Sequence, residues 1–274
     1  MANMRELIRV LKRQEPGRPV LFEPVVSRPL HERLVWRSGA TPWQDSLAAA
    51  QVVIDSSRIC GLDTAALSFG RIEGGLCLDP TLLARAPSML PPGMGILDMG
   101  PGGLLTLPPG SHEAFLSYYD QVLPLSPLCA CLVRDITGHT PSDPEQAALL
   151  ETYRILCQKL HAQGKYAIYS AGYDFPQALG LALEAGFDAI RYQPSPLSFE
   201  DCWREYHSRI ALLGGLSCGF LSTAKPLAIH ARCDALMALT GGKAMALGSD
   251  NLHGRDIPYL GFISLTGYVE RHTR

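Results

Sequence analysis

The sequence predicts a single-domain (β/α)8 TIM barrel of the α/β class, spanning residues 1–274. About eight short apolar segments alternate with helical segments, as in folds built on a parallel sheet. Several of the apolar segments have no polar face, which is typical of strands covered on both sides. The length of 274 residues is also typical of this barrel. A doubly wound open sheet is disfavoured, because no G-x-G-x-x-G loop follows an early strand.

Composition excludes several classes of partner. Hydrophobic residues make up 47% of the chain, charged residues 18%, and the formal net charge is −2. This balance gives no electrostatic basis for binding nucleic acid or an anionic membrane surface. No apolar run approaches the length of a membrane span, and the N-terminus lacks an apolar signal region. We therefore expect a cytoplasmic protein without nucleic-acid or membrane partners.

The eight cysteines show neither a CxxC motif nor a Cys/His zinc spacing. Most stand in apolar surroundings, where a free cysteine packs as a small hydrophobic residue. Cys129 and Cys131 share one face of a predicted strand, and packing is favoured there over a metal or redox role. We expect reduced thiols.

The first half of the chain contains three predicted strands. An amphipathic helix over 5–14 ends before Pro16, and the strand over 19–22 delivers Glu23 to its carboxyl end. The other predicted segments are helices 29–37, 42–60 and 81–85, strand 64–69, strand 95–97 ending in Asp98, and a hairpin or lid over 99–110.

The second half alternates strands and helices with recognisable helix ends. Asp143 caps one helix, Pro144 lies in its first turn and Gly164 follows it, while Asp174 is a candidate N-cap for another. The predicted strands are 128–133, 166–170, 188–191, 210–213 and 244–247, and the predicted helices are 111–122, 144–163, 175–185, 198–208, 223–239 and 258–272.

The stretch 243–258 best indicates where a functional site lies. Its apolar strand ends in a loop with Ser249, Asp250 and His253, and sites in parallel α/β folds lie at the carboxyl ends of strands. Other strands end in polar residues too. The candidate catalytic residues are Asp98, Asp135, Tyr169 and His253, and the candidate substrate-binding residues are Glu23, Arg134, Arg191, Ser249 and Asp250.

Two interpretations of these strand-end charges stay open. Glu23, Arg134, Asp135 and Arg191 would form internal ion pairs that hold the rim together, since buried charges need partners. Alternatively, the two arginines would bind the carboxylate of a substrate, because a guanidinium group matches a carboxylate bidentately. An aspartate or tyrosine beside them would then transfer protons.

Three segments resemble the uroporphyrinogen decarboxylase superfamily, which includes the methylcobamide:coenzyme M methyltransferases. They are RELIRVLKRQEPGRPVLFEP (5–24), YSAGYDFPQALGLALEAGFDAIRYQP (169–194) and LGSDNLHGRDIP (247–258). The resemblance implies a (β/α)8 barrel with its site at the carboxyl-end rim, and a homodimer. Residues 70–125 match poorly and look shortened.

The chain departs from both branches of that superfamily. The methyltransferase branch holds a zinc with a His-x-Cys and a later cysteine, whereas this sequence has Tyr169, Ala171 and the cysteine-free segment 248–251. The decarboxylase branch has an RQAGR-type segment after the first strand, whereas this chain reads PVVSRPLHERL, and its His253-Gly254 pair is offset.

The leading hypothesis is metal-free and cofactor-free acid/base decarboxylation of an anionic, carboxylate-bearing substrate, with a tetrapyrrole as one candidate. The first alternative is a methyltransferase that works with a corrinoid protein and has an altered metal site, for which Glu23, Asp98 and Asp250 offer oxygen ligands. The second alternative is a non-catalytic barrel that binds a tetrapyrrole or corrinoid.

Overall fold

A curled, fully parallel sheet forms the centre of the molecule. The computed structural model describes residues 3–36, 46–67, 86–108, 110–124, 128–252 and 257–273. The seven strands lie side by side in chain order. They are β1 (Thr64–Leu67), β2 (Gly95–Asp98), β3 (Leu128–Asp135), β4 (Tyr166–Ala171), β5 (Ala189–Arg191), β6 (Ala211–Leu216) and β7 (Met245–Ser249).

The predicted first strand is present only as a bridge. Leu21 pairs with Leu247 in parallel, where the Phe22 amide donates to the Leu247 carbonyl at 2.7 Å. Within the described ranges no ladder joins this segment to β1, and a cavity of about 10 Å³ lies between Phe22 and Thr64. The curled parallel sheet confirms the predicted α/β class, whereas a closed barrel of eight strands is not confirmed.

Helices follow most strands and cover the outside of the sheet. They are α1 (Met4–Leu11), α2 (Arg28–Leu34), α3 (Ser46–Ile59), α4 (Ala86–Met89), α5 (His112–Val122), α6 (Asp143–Ala162), α7 (Phe175–Ala185), α8 (Phe199–Tyr206), α9 (Cys218–Thr223), α10 (Pro226–Thr240) and α11 (Tyr259–Arg271). None of these described helices combines the length and apolar character needed to cross a membrane.

Local sequence explains several helix ends. Ser142, rather than Asp143, caps α6 through a capping box with Glu145. The predicted cap at Asp174 is confirmed, because its carboxylate accepts from the Gln177 amide at 3.1 Å. Gly186 ends α7 in the left-handed region with φ of 89°, which glycine adopts without steric cost.

Two predicted segments differ in the structure. The predicted hairpin contains a short 3-10 helix, Leu104–Thr106, whose loop binds β3 through the Gly103 amide and the Arg134 carbonyl. The predicted helix 223–239 begins at Pro226, because a residue before proline is extended, and α9 precedes it as a separate turn. The predicted helix 81–85 lies outside the described residues.

The alternation of side chains along the strands divides the core into two layers. Leu97, Leu132, Ile168 and Leu213 point into the barrel, where α1 residues pack with them. The neighbouring side chains on the same strands point outward and pack against the helices. Polar residues at the strand ends therefore face either the barrel mouth or the helix layer, according to their parity.

The Gly248→Ala substitution is expected to weaken the junction between β7 and the first segment. An added Cβ would lie 2.2 Å from the Phe22 carbonyl oxygen, so the backbone must move. We expect the free energy of unfolding to fall by roughly 2–4 kcal/mol.

Gly180→Ala in α7 is the matched control, because an added Cβ there meets no atom within 4 Å. It should leave stability unchanged or raise it by up to about 1 kcal/mol. Urea denaturation of both variants measures the difference. Equal stabilities would contradict the close approach at Phe22.

Candidate functional site

Three polar side chains line neighbouring strands at the barrel mouth. Leu132 and Ile168 face the interior, so Arg134 and Ser170, two residues further along the same strands, face the mouth. Arg134 and Ser170 are register partners in β3 and β4. Arg191 on β5 follows Ile190, which pairs with Tyr169, and this places Arg191 beside Ser170.

Arg191 is buried with only part of its guanidinium group satisfied. The residue is 1% exposed, and its Nη2 donates to the Ser249 carbonyl at 2.9 Å. Glu23 Oε1 lies 3.8 Å from the same nitrogen. Arg191 Nη1 has no hydrogen-bond partner among the described residues, which is costly for a buried charged donor.

Glu23 is the acidic partner in this mouth. It is 2% exposed, and its Oε2 accepts from the Ser249 amide at 2.8 Å. Burial raises the pKa of Glu23, while the charge of Arg191 acts in the opposite direction. Its Oε1 has no hydrogen-bond partner in the described part of the chain, so the protein leaves one acceptor of this buried group unsatisfied.

Arg134 brings a second positive charge to the same mouth. Its Nη2 donates to the Leu252 carbonyl, and its Nε has no partner among the described atoms. Burial, together with the nearby Arg191 charge, lowers the pKa of Arg134 to about 10. Because guanidinium groups keep their charge at neutral pH, a bound anion would relieve the repulsion between the two arginines.

Asp250 occupies a position at which many (β/α)8 barrels bind phosphate. In an eight-stranded barrel, that position lies near the loops after the seventh and eighth strands and the N-terminus of a short extra helix. Those two strands correspond to β6 and β7 of this chain. Here the Cys218 amide at the start of α9 donates to Asp250 Oδ1 at 2.7 Å. The protein's own carboxylate fills this place, so the arginine pair is the better candidate for an anion.

Sequence reasoning missed Cys218 and Ser170 as members of this site. Cys218 is half-buried, whereas the other described cysteines are buried. Its thiol lies near Asp250, Ser249 and Arg191, and burial raises its pKa to about 12. A protonated thiol is a poor nucleophile. The signal that identifies both residues is position, because each stands at the end of a strand.

Asp135 and Tyr169 lie on the opposite face of the sheet from the arginines. Asp135 Oδ2 accepts from the Tyr169 hydroxyl at 2.8 Å and from the Tyr153 hydroxyl of α6. Its Oδ1 accepts from the Leu105 amide at 3.1 Å. This carboxylate thus ties the loop before α5 to β4 and α6, and burial raises its pKa.

Asp98 also points toward the helix layer. Its Oδ1 accepts from the Tyr118 hydroxyl of α5 at 2.8 Å, and its Oδ2 has no partner among the described atoms. Burial raises the pKa of Asp98 to about 7, more than its hydrogen bonds lower it.

The structure therefore divides the predicted site residues into two groups. Glu23, Arg134, Arg191, Ser249 and Asp250 come together at the mouth. Asp98, Asp135 and Tyr169 lie behind the sheet, and their catalytic roles stay predictions. The predicted residue His253 lies outside the described residues.

The zinc site that the sequence resemblance implies does not fit the residues at the corresponding positions. The Tyr169 side chain turns toward Asp135 rather than into the mouth, and Ala171 has no donor atom. Within the described ranges, no group of three or more His, Cys, Asp or Glu side chains has a geometry that would hold a metal ion. The described residues at these positions therefore do not fit the zinc ion that the resemblance implies.

Asp98→Asn is expected to flatten the pH dependence of stability. The pKa of Asp98 is about 7 in the folded protein, against a usual value of 3.8, so the folded state binds this proton more tightly. The free energy of unfolding should therefore fall as pH rises from about 4 to about 7, and Asp98 should contribute roughly 2–4 kcal/mol of that fall.

Asp120→Asn is the control: Asp120 lies on α5, the helix that supplies Tyr118, and its side chain is 57% exposed. Urea denaturation at several pH values should give a smaller slope for Asp98→Asn than for the wild type, and an unchanged slope for Asp120→Asn. Parallel stability curves for the wild type and Asp98→Asn would show that Asp98 ionises normally in the folded protein.

Comparison with known proteins relates the chain to others by fold. No protein-family model and no curated protein sequence matches it. Among solved structures, it is similar to a methyltransferase from Methanosarcina mazei, with a TM-score of 0.69, 13% identity and 100% of both chains covered. It is also similar to a xylose isomerase-like TIM barrel protein from Mycobacterium smegmatis in complex with magnesium, with a TM-score of 0.58, 10% identity, and 93% of this chain and 96% of that one covered. At these identities the likeness establishes a TIM-barrel-type fold, shared along its whole length with a methyltransferase.

Proposed function

We propose that this protein is an enzyme that binds the carboxylate of a small anionic substrate at the barrel mouth and transfers a methyl group to or from that substrate. The observation that carries the proposal is the pair of buried arginines, Arg134 and Arg191, which keep unpartnered donors in one mouth. The fold shared with a methyltransferase favours methyl transfer over decarboxylation, which is the leading hypothesis from the sequence alone.

Carboxylate binding follows from the donors that the mouth offers. Arg134 Nε and Arg191 Nη1 are buried without partners in the described structure. The two oxygens of a carboxylate accept charge-assisted hydrogen bonds from guanidinium groups. Each such bond contributes about 1.5–3 kcal/mol. The ligand's negative charge also offsets the repulsion between the arginines.

Glu23 is the proposed proton-transfer group. Its raised pKa suits a carboxyl group that exchanges a proton with a bound ligand, and so does its Oε1, which has no hydrogen-bond partner among the described residues. When a methyl group leaves a nitrogen, oxygen or sulfur atom of the anionic substrate, that atom gains a proton, which the Glu23 carboxyl donates. The methyl group passes, without the electron pair of the broken bond, to a second substrate, proposed to be a reduced Co(I) corrinoid carried by a partner protein, which supplies both electrons of the new bond. In the reverse direction, the Glu23 carboxylate accepts the proton.

Decarboxylation is the second candidate. It is favoured by the position of the Glu23 carboxyl group beside the proposed anion site at Arg134 and Arg191. Loss of CO2 leaves a carbanion, which takes a proton from Glu23. A carboxylate bound by both arginines is stabilised in the ground state, which opposes its loss as CO2. The carboxylate that is lost would therefore be a second one on the same substrate. This candidate therefore requires a substrate with at least two carboxylates, such as a carboxylated tetrapyrrole.

Arg134→Ala and Arg191→Lys are expected to weaken acetate binding by at least roughly tenfold each, since each removes a guanidinium donor. Isothermal titration calorimetry of acetate measures the effect. Arg154→Ala is the matched control, because Arg154 lies on the surface of α6 beside Glu151. Unchanged acetate affinity in both mouth variants, with the fold intact by circular dichroism, would refute the carboxylate site.

Product analysis distinguishes the two reactions. Methyl exchange between free methylcobalamin and small carboxylated acceptors is expected, and CO2 release from carboxylated tetrapyrroles would instead support decarboxylation. Glu23→Gln should lower the rate of either by at least roughly a hundredfold while retaining acetate binding. Acetate binding without either reaction would indicate a non-catalytic binding barrel.

A further inference from the structure

We infer that a second cavity beside the barrel mouth binds an aromatic ring of the same ligand, so that the substrate is an aromatic carboxylate. The cavity has a volume of about 340 Å³, and its lining includes Tyr192, Phe199, Gly215, Phe220, Arg232 and Asp250. The inference rests on the proposed function, because it extends the anion site at Arg134 and Arg191 to the rest of the ligand.

The walls of the cavity favour an apolar, planar occupant. Tyr192 and Phe199 meet edge to face, with ring centroids 5.3 Å apart and an interplanar angle of 82°. Phe220 from α9 provides a third ring. Aromatic side chains bind planar groups through stacked and edge contacts. The cavity volume suits a single ring or two fused rings, since the volumes of ligand sites range upward from about 300 Å³.

The charges of the cavity disfavour a carboxylate inside it. The Arg232 guanidinium is already engaged by Glu200 and by the Gly215 carbonyl, its Nε lying 3.3 Å from that carbonyl. Asp250 adds a further negative charge to the lining. An anionic group therefore belongs at the arginines of the mouth, and an uncharged group belongs in the cavity.

Asp250 connects the two sites. Asp250 lines the cavity, and its charge also acts on Glu23 and Arg191 in the mouth. Ser217 lines the cavity as well, and the thiol of the next residue, Cys218, lies near Arg191 and Asp250. A ligand with a charged end and an aromatic end can thus occupy both sites at once. Two adjacent pockets of opposite character select for both features of such a ligand.

The test compares the binding of 2-naphthoate and acetate by isothermal titration calorimetry. The wild type should bind 2-naphthoate at least roughly tenfold more tightly than acetate, because only 2-naphthoate carries a ring. Ser195→Trp fills the cavity from its half-buried wall, and Phe220→Ala removes one ring. Both variants should weaken 2-naphthoate binding by at least roughly fivefold and leave acetate affinity within about twofold.

Ser208→Trp is the matched control, because Ser208 is exposed and lies before β6, at the opposite end of the barrel. It should change neither affinity, and circular dichroism checks that every variant is folded. Unchanged 2-naphthoate affinity in both Ser195→Trp and Phe220→Ala, or no preference for 2-naphthoate over acetate, would overturn the inference.

The arginine variants separate this inference from the proposed function. If Arg134→Ala weakens the binding of both probes while Ser195→Trp weakens only 2-naphthoate binding, both assignments are supported. If Arg134→Ala and Arg191→Lys change neither affinity but Ser195→Trp weakens 2-naphthoate binding, the carboxylate site fails and the ring site stands.

Discussion

Two guanidinium groups and one carboxyl group share a mouth from which water is largely excluded. Arg191 is held by the Ser249 carbonyl and the Glu23 carboxylate, and Arg134 is held by the Leu252 carbonyl. These contacts satisfy only some of the donors. Burying charge without full compensation lowers the free energy of unfolding, so apolar packing in the rest of the barrel must offset this loss. Natural proteins commonly accept such a cost at a binding site.

The two-residue repeat of β-strands determines which polar groups join this mouth. Arg134 and Asp135 are neighbours in β3, yet one faces the barrel interior and the other faces α6. The inward layer brings the two arginines together, while the outward layer forms a hydrogen-bonded anchor of Asp135, Tyr153 and Tyr169. This anchor holds the loop at Leu105 against the strand end. The outward acids thus support the rim on which the site is built, while the inward groups are placed to contact a ligand.

The likeness to a methyltransferase is one of architecture, because 13% identity over whole chains establishes the fold alone. At the positions where the sequence resemblance implies zinc donors, this chain has a tyrosine that bonds inside the protein and an alanine. A fold can keep its scaffold while the groups at its strand ends change. In this chain the strand ends carry the arginine pair, on which the proposed anion site rests, and the aromatic cavity, on which the proposed ring site rests.

The sequence by itself determined the succession of strands and helices, and it identified the strand ends as the place of the site. These features depend on local apolar periodicity and on caps such as Asp174, which neighbouring residues specify. It also identified Glu23, Arg134 and Arg191 as candidate members of the site. Only the tertiary structure decided that Asp98, Asp135 and Tyr169 turn away from them, and that Cys218 joins the mouth. The reason is physical: the face to which a strand-end side chain points depends on register and on the curl of the sheet, and both arise from contacts between residues far apart in the chain.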